Sequence, residues 1–171
     1  SLVTIVRDAS HCETVRHSAL IALFRQAPGN PSAALLLDDI IAARIGDPDD
    51  ELLGCLLSEL YPLYLSVDKL AAAFHLEKSS RLSGSYSYFW EHTLFERIPK
   101  ADLPELLDRI LALPNRPRPD GDGLHAQRTL GRLLAETLDA AGDDVTTARL
   151  YHWLGRLLGI DTSKRRAKPA G

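Results

Sequence analysis

Asp47-Pro48-Asp49-Asp50-Glu51-Leu52-Leu53-Gly54-Cys55-Leu56-Leu57-Ser58-Glu59-Leu60 is the stretch whose reading decides the fold. Asp47 has the short acceptor side chain that caps a helix, and Pro48 suits a first helical position, where a missing amide donor costs nothing. Asp49, Asp50 and Glu51 then face the positive end of the helix dipole. Leu52, Leu53, Leu56, Leu57 and Leu60 share one face, which is the pattern of a helix packed along one stripe. Similar punctuation recurs along the chain at intervals of roughly 16 to 22 residues, a spacing expected of stacked helix pairs.

Upstream, Ser10-His11-Cys12-Glu13 has the form of a capping box. It predicts a helix to about Gln26 with Val15, Ala19, Leu20, Leu23 and Phe24 inward, stopped by Pro28-Gly29-Asn30-Pro31. A second helix, from about Ser32 to Ile45 with Gly46 as its stop, is apolar nearly all round apart from Asp38, Asp39 and Arg44. Downstream, Ser66 caps a short helix carrying Val67, Leu70, Ala71 and Phe74, and Leu76 to Gly84 is a polar loop. From Ser85 to Ile98 the pattern turns aromatic. Phe89, Trp90 and Leu94 or Phe95 form the inward stripe, and Tyr86 and Tyr88 reach polar partners at its edge. Asp102-Leu103-Pro104-Glu105 reads as another capping box ahead of Leu106, Leu107, Ile110 and Leu111.

Residues 114–123 are rich in Pro, Gly and Asp and divide a front of six helices, 1–113, from a terminal pair, 124–161. In that pair Leu130, Leu133, Leu134 and Leu138 face Leu150, Trp153, Leu154, Leu157 and Leu158 in the simplest antiparallel arrangement. Residues 162–171, with Lys164, Arg165, Arg166 and Lys168, form a flexible basic tail. The expected fold is therefore all-α: a right-handed α-solenoid of about eight antiparallel helices.

The 171 residues suffice for a core that needs neither disulfide nor metal, and a net charge of -3 gives no broad electrostatic reason to hold nucleic acid. No apolar run reaches the length of a membrane span, and the amino terminus lacks the form of a signal peptide. Two cysteines, Cys12 and Cys55, inside helical patterns and without a CxxC motif are expected to be two buried thiols in a reducing compartment, with the cytoplasm as the default. The absence of any methionine, and a start in mid-pattern, lead us to expect a piece of a longer protein.

Asp47 to Pro62 resembles the opening of a HEAT-type repeat. With Leu65 to Leu70, Ser83 to Phe89 and Ile98 to Pro104, it is similar to the helical-repeat region that follows the nucleotide-binding domain in large bacterial NACHT-type signalling ATPases. The resemblance covers about Asp47 to Leu113 and implies a sensor or scaffold segment. The ATPase residues do not carry over, because the chain has no phosphate loop.

Chemistry finds few footholds. His11 and His17 are six apart and so not stacked on one helix face, Cys12 and Glu13 add to a ligand-rich corner in which capping already explains Glu13, and neither a metal nor a cofactor is expected. His92 and Glu96 stand at i, i+4 and could share a proton, and Asp38-Asp39 places two carboxylates in an apolar helix. A small helical enzyme built on either pair is the alternative to a non-enzymatic module, and a self-associating scaffold is a third reading. No nucleophile elbow is present, since Ser83-Gly84-Ser85 follows a polar loop. The expected function is protein interaction or regulation. The partner is another protein or a self-domain of the parent, and the candidate surface is Tyr86, Tyr88, Trp90 and His92. The basic residues Arg116, Arg118 and Lys164 to Lys168 read as solvated.

Overall fold

The computed structural model describes residues 1–26, 31–75, 84–114, 124–141 and 147–158. The expected stop at Pro28 to Asn30, the loop from Leu76 to Ser83, the linker from 115 on, the turn at 142–144 and the basic tail lie outside the described residues, as do Arg116 and Arg118.

Among the described residues every regular element is helical and none is a strand. The helices are α1 (Leu2–Arg7), α2 (Glu13–Gln26), α3 (Pro31–Ile41), α4 (Glu51–Leu60) and α5 (Val67–Ala72), followed by α6 (Ser85–Tyr88). A π-helical stretch, Phe89–Thr93, joins α6 to α7 (Leu94–Arg97), so that these three form one aromatic helix. A 3-10 turn, Lys100–Asp102, leads into α8 (Leu103–Ala112), and α9 (Leu124–Ala141) and α10 (Thr147–Leu157) complete the order. No described helix is long and apolar enough to cross a membrane.

Several local expectations are met. The Ser66 hydroxyl accepts from the Lys69 amide at 3.4 Å, and Leu70, Ala71 and Phe74 are buried. Leu103, Leu106, Leu107, Ile110 and Leu111 form the inward face of α8. Asp47 caps α4 from four residues ahead of its first helical residue, its carboxylate accepting from the Leu52 and Leu53 amides at 3.2 and 2.9 Å.

Others are corrected. Leu2–Arg7, which carries no recognised start signal, is helical and capped by the Ser1 hydroxyl. On α2 the buried stripe holds Arg16 where Val15 was expected, and Val15 faces solvent. A guanidinium enters the core because it finds acceptors there: Arg16 Nε donates to the Val6 carbonyl at 2.9 Å and Nη2 to the Gly46 carbonyl at 2.7 Å. The helix α3 ends at Ile41, not Ile45. Ala43, at φ 55°, takes the left-handed place that glycine usually fills, and the Arg44 amide closes the end on the Asp39 carbonyl. Asp102 makes no capping bond, because the preceding 3-10 turn already holds its backbone in a helical conformation. Glu105 pairs instead with Arg109.

The principal packing contacts join helices that are neighbours or next neighbours in chain order, counting the aromatic helix as one. One rank runs α2, α4, aromatic helix, α9, each packed on the next. In the other, α5 packs on α8 and α8 on α10. The buried apolar side chains form one continuous cluster from Val6 to Trp153.

That second rank extends forward through ion pairs. Arg7 on α1 meets Asp39 on α3; Asp38 on α3 meets Lys69 on α5 at 2.9 Å; Asp68 on α5 meets Arg109 on α8 at 2.9 Å; Asp108 on α8 meets Arg149 on α10 at 2.9 Å. The middle helices carry the charges as adjacent residues, Asp38-Asp39, Asp68-Lys69 and Asp108-Arg109. In each case the first reaches forward to the next helix and the second reaches back. Exposed pairs contribute about 0–1 kcal/mol each, so the ladder sets register more than stability. The Arg44 hydrogen bond first, and Arg7 next, hold the Asp39 carboxyl below its usual range.

Candidate interaction surface

The aromatic helix is held against α4 at both of its ends. At its start Glu51 accepts from the Ser85 amide at 3.1 Å and from the Ser85 hydroxyl. In the same first turn Gly54 brings the two backbones together: a Cβ there would lie 2.1 Å from the Tyr86 nitrogen, so only glycine fits. At its end Arg97 donates to the carbonyls of Ser58 and Tyr61, the terminal acceptors of α4. The two helices are therefore parallel.

Behind this contact lies a buried polar corner. The Asp50 carboxylate, 1% exposed, meets His75 Nε2 at 3.1 Å, and His75 Nδ1 faces the Ala73 carbonyl at 3.1 Å. An oxygen atom thus stands at each ring nitrogen of His75. The Tyr86 hydroxyl accepts from the His75 amide at 2.8 Å and donates toward the carbonyls of Ala73 and His75. Asp50 reaches this place only by adopting a left-handed backbone, φ 57°, a conformation aspartate tolerates better than most residues. The acidic run expected to serve one helix dipole thus has three separate roles: Asp47 caps α4, Asp50 holds His75 and Glu51 caps the aromatic helix.

The aromatic side chains divide by face. Phe89, Trp90 and Leu94 are buried with Tyr86, and Trp90 packs edge-on against Phe74 at 4.9 Å. Tyr88 is 61% exposed, and His92 stacks on it with ring centroids 5.0 Å apart. Of the four residues singled out from sequence, Tyr88 and His92 stand at the surface and Tyr86 and Trp90 lie in the core.

The Tyr88–His92 ridge separates two depressions. One, of about 320 Å³, is lined by His17 and Ile21 of α2, Cys55, Ser58 and Glu59 of α4, and Ser85 and Tyr88. Burial first, then the charges of Glu59 and Glu51, push the Cys55 thiol up to about 12, so it carries no thiolate at neutral pH. The other, of about 190 Å³, lies between the aromatic helix and α9 and is lined by Glu91, His92, Arg128, Thr129 and Arg132. Arg132 is positioned there by three contacts: its guanidinium lies 4.2 Å above the Phe95 ring, donates to the Glu91 carbonyl, and approaches Glu136 at 3.6 Å.

His92 has Tyr88 and Glu91 as its neighbours, with Nε2 4.0 Å from the Glu91 carboxylate, and Glu96 is exposed. Asp38 and Asp39 belong to the ion-pair ladder. Among the described residues no three His, Cys, Asp or Glu side chains gather as a metal site. Sequence reasoning passed over Arg128 and Arg132, whose only signal was their i, i+4 spacing on the exposed face of α9, and Thr129, which lies on the buried face one turn before Leu133. Comparison of the chain with protein-family models, with curated proteins and with solved structures returns no match.

Proposed function

We propose that the chain is a non-enzymatic protein-interaction or regulatory module, a HEAT-like α-solenoid segment of a larger bacterial signalling ATPase of NACHT type. Its working face is the rank α2, α4, aromatic helix and α9. The observation that carries this reading is the Tyr88–His92 ridge: an exposed aromatic pair on a helix clamped at both ends, with a depression on either side. Rigid exposed aromatics flanked by concave surface are favourable anchors for a protein partner, because little conformational entropy is lost on contact. The solenoid part of the proposal draws support from packing that stays within two positions along the chain and from the ladder that links alternate helices. Binding to this face would shift the populations of the parent's closed and open forms.

The test is calorimetric titration of this chain with the remaining segments of its parent, each produced separately. One of them is expected to bind, and Tyr88→Ala with His92→Ala is expected to weaken it at least tenfold, about 1.4 kcal/mol, without lowering the melting temperature. Failure of every parent segment to bind would overturn the proposal.

A further inference from the structure

We propose that the depression between the aromatic helix and α9 is a carboxylate-binding site, with Arg128, Thr129 and Arg132 as its donors and His92 at its edge. Two of the residues that line this place carry hydrogen-bonding groups that are unmet among the described residues. Thr129 is 1% exposed, and its hydroxyl has no hydrogen-bond partner. Burying a hydroxyl without a partner is unfavourable, and a threonine inside a helix has an easy remedy in the carbonyl four residues back. Thr137 on the same helix takes that remedy, donating to the Leu133 carbonyl at 2.6 Å, and Thr129 does not. Arg128, next to it, is exposed and makes no ion pair or hydrogen bond among the described residues.

The second arginine is already in position. Arg132 is fixed over Phe95 and by the Glu91 carbonyl, so its remaining N–H groups need no reorganisation to meet an acceptor. His92 is held on Tyr88 at the same rim. Two guanidinium groups flanking a hydroxyl suit an oxyanion, and a planar carboxylate can take paired bonds from one guanidinium. Glu91 lines the depression and Glu136 lies against Arg132, so negative charge is already present at the rim. That charge favours a singly charged carboxylate over a doubly charged phosphate. About 190 Å³ admits a group the size of an acidic side-chain end. The Thr129 hydroxyl oxygen is sealed from solvent, so occupation has to open the rim to reach it, and doing so gives the orphaned donor its acceptor.

The source of the carboxylate, an acidic side chain of the partner polypeptide, rests on the interaction reading above; the site itself does not. The test is titration of the chain with sodium acetate at constant ionic strength, followed through the amide resonances of residues 126–132, with chloride and inorganic phosphate as parallel arms. Acetate is expected to give saturable shifts in the millimolar range, chloride none that saturate, and phosphate weaker binding than acetate. Arg128→Gln should weaken acetate about tenfold and Thr129→Val about fivefold. Arg128 is exposed, so its variant keeps the experiment decisive even if Thr129→Val loses its fold. Shifts that do not saturate, an Arg128→Gln chain that binds acetate as the parent does, or phosphate binding more tightly than acetate would each overturn the proposal. Saturable acetate binding without any parent segment as partner would leave this site standing while overturning the interaction reading.

Discussion

The two ranks of helices treat their polar groups in opposite ways. Along α1, α3, α5, α8 and α10, charged side chains are paired from helix to helix: Arg7 with Asp39, Asp38 with Lys69, Asp68 with Arg109, Asp108 with Arg149. Asp108 also accepts from the Trp153 indole, so one carboxylate takes two contacts from α10. Along α2, α4, the aromatic helix and α9, close backbone approach and buried rings are joined by a few side-chain bonds, Glu51 with Ser85, Arg97 with Ser58 and Tyr61, and Arg132 with Glu91, and other polar groups are left over: Tyr88, His92 and Arg128 at the surface and, beneath them, Thr129. A rank whose polar groups are satisfied internally holds register. A rank that keeps some unsatisfied has capacity for a ligand.

The sharpest way to break this contrast is at Gly54. Gly54→Ala puts a methyl group into the backbone of Ser85 and Tyr86, which cannot yield as a side chain can, and it should cost about 3 kcal/mol or more in urea unfolding. A variant as stable as the parent would show that α4 and the aromatic helix are not in close backbone contact. Next comes the polar corner between them. Asp50→Ala leaves the His75 ring without its buried acceptor and should cost about 2–3 kcal/mol, while Asp50→Asn, which keeps an acceptor and tolerates the left-handed backbone, should cost less. Equal losses would mean that the carboxylate charge, which both variants remove, matters there and not the acceptor or the backbone.

On the laced rank, Ala43→Gly should stabilise the fold by about 1 kcal/mol, since Ala43 sits at φ 55° with an exposed side chain and glycine pays no steric cost there. A loss of stability on that change would place the end of α3 elsewhere. The smallest effect is expected in the ladder itself: Asp68→Asn should lower the melting temperature by about 2 °C or less, and less again in 1 M salt. The ladder should also respond to acid with a definite sign. The Asp39 pKa is lowered in the fold, so its contribution is present above the ordinary carboxylate range and is lost as pH falls through the lowered value. An Asp39→Asn chain should therefore show a flatter acid limb in thermal unfolding, and an unchanged limb would remove Asp39 from the ladder.

Particular residues show how far the sequence could be read. The leucines of α4 and α8 and the Ser66 cap were legible, because a cap and an apolar stripe are written within one or two turns of chain. Arg16 was not, because its acceptors lie ten and thirty residues away, and periodicity alone marks Val15 as the better core residue. Asp50 looked like one more acid at a helix start, and its role appeared only with His75 beside it. Tyr86 and Tyr88, two residues apart, could not be told apart by composition; the fold buries one on three backbone groups and leaves the other under His92.

The sequence by itself determined that this chain is helical and where most of its helices run, since propensity, capping and hydrophobic period act over a few residues. Only the tertiary structure decided which charges face each other, which aromatic ring is open and which hydroxyl lacks a partner. Those outcomes depend on groups brought together from distant positions, and no local pattern encodes the distance between them.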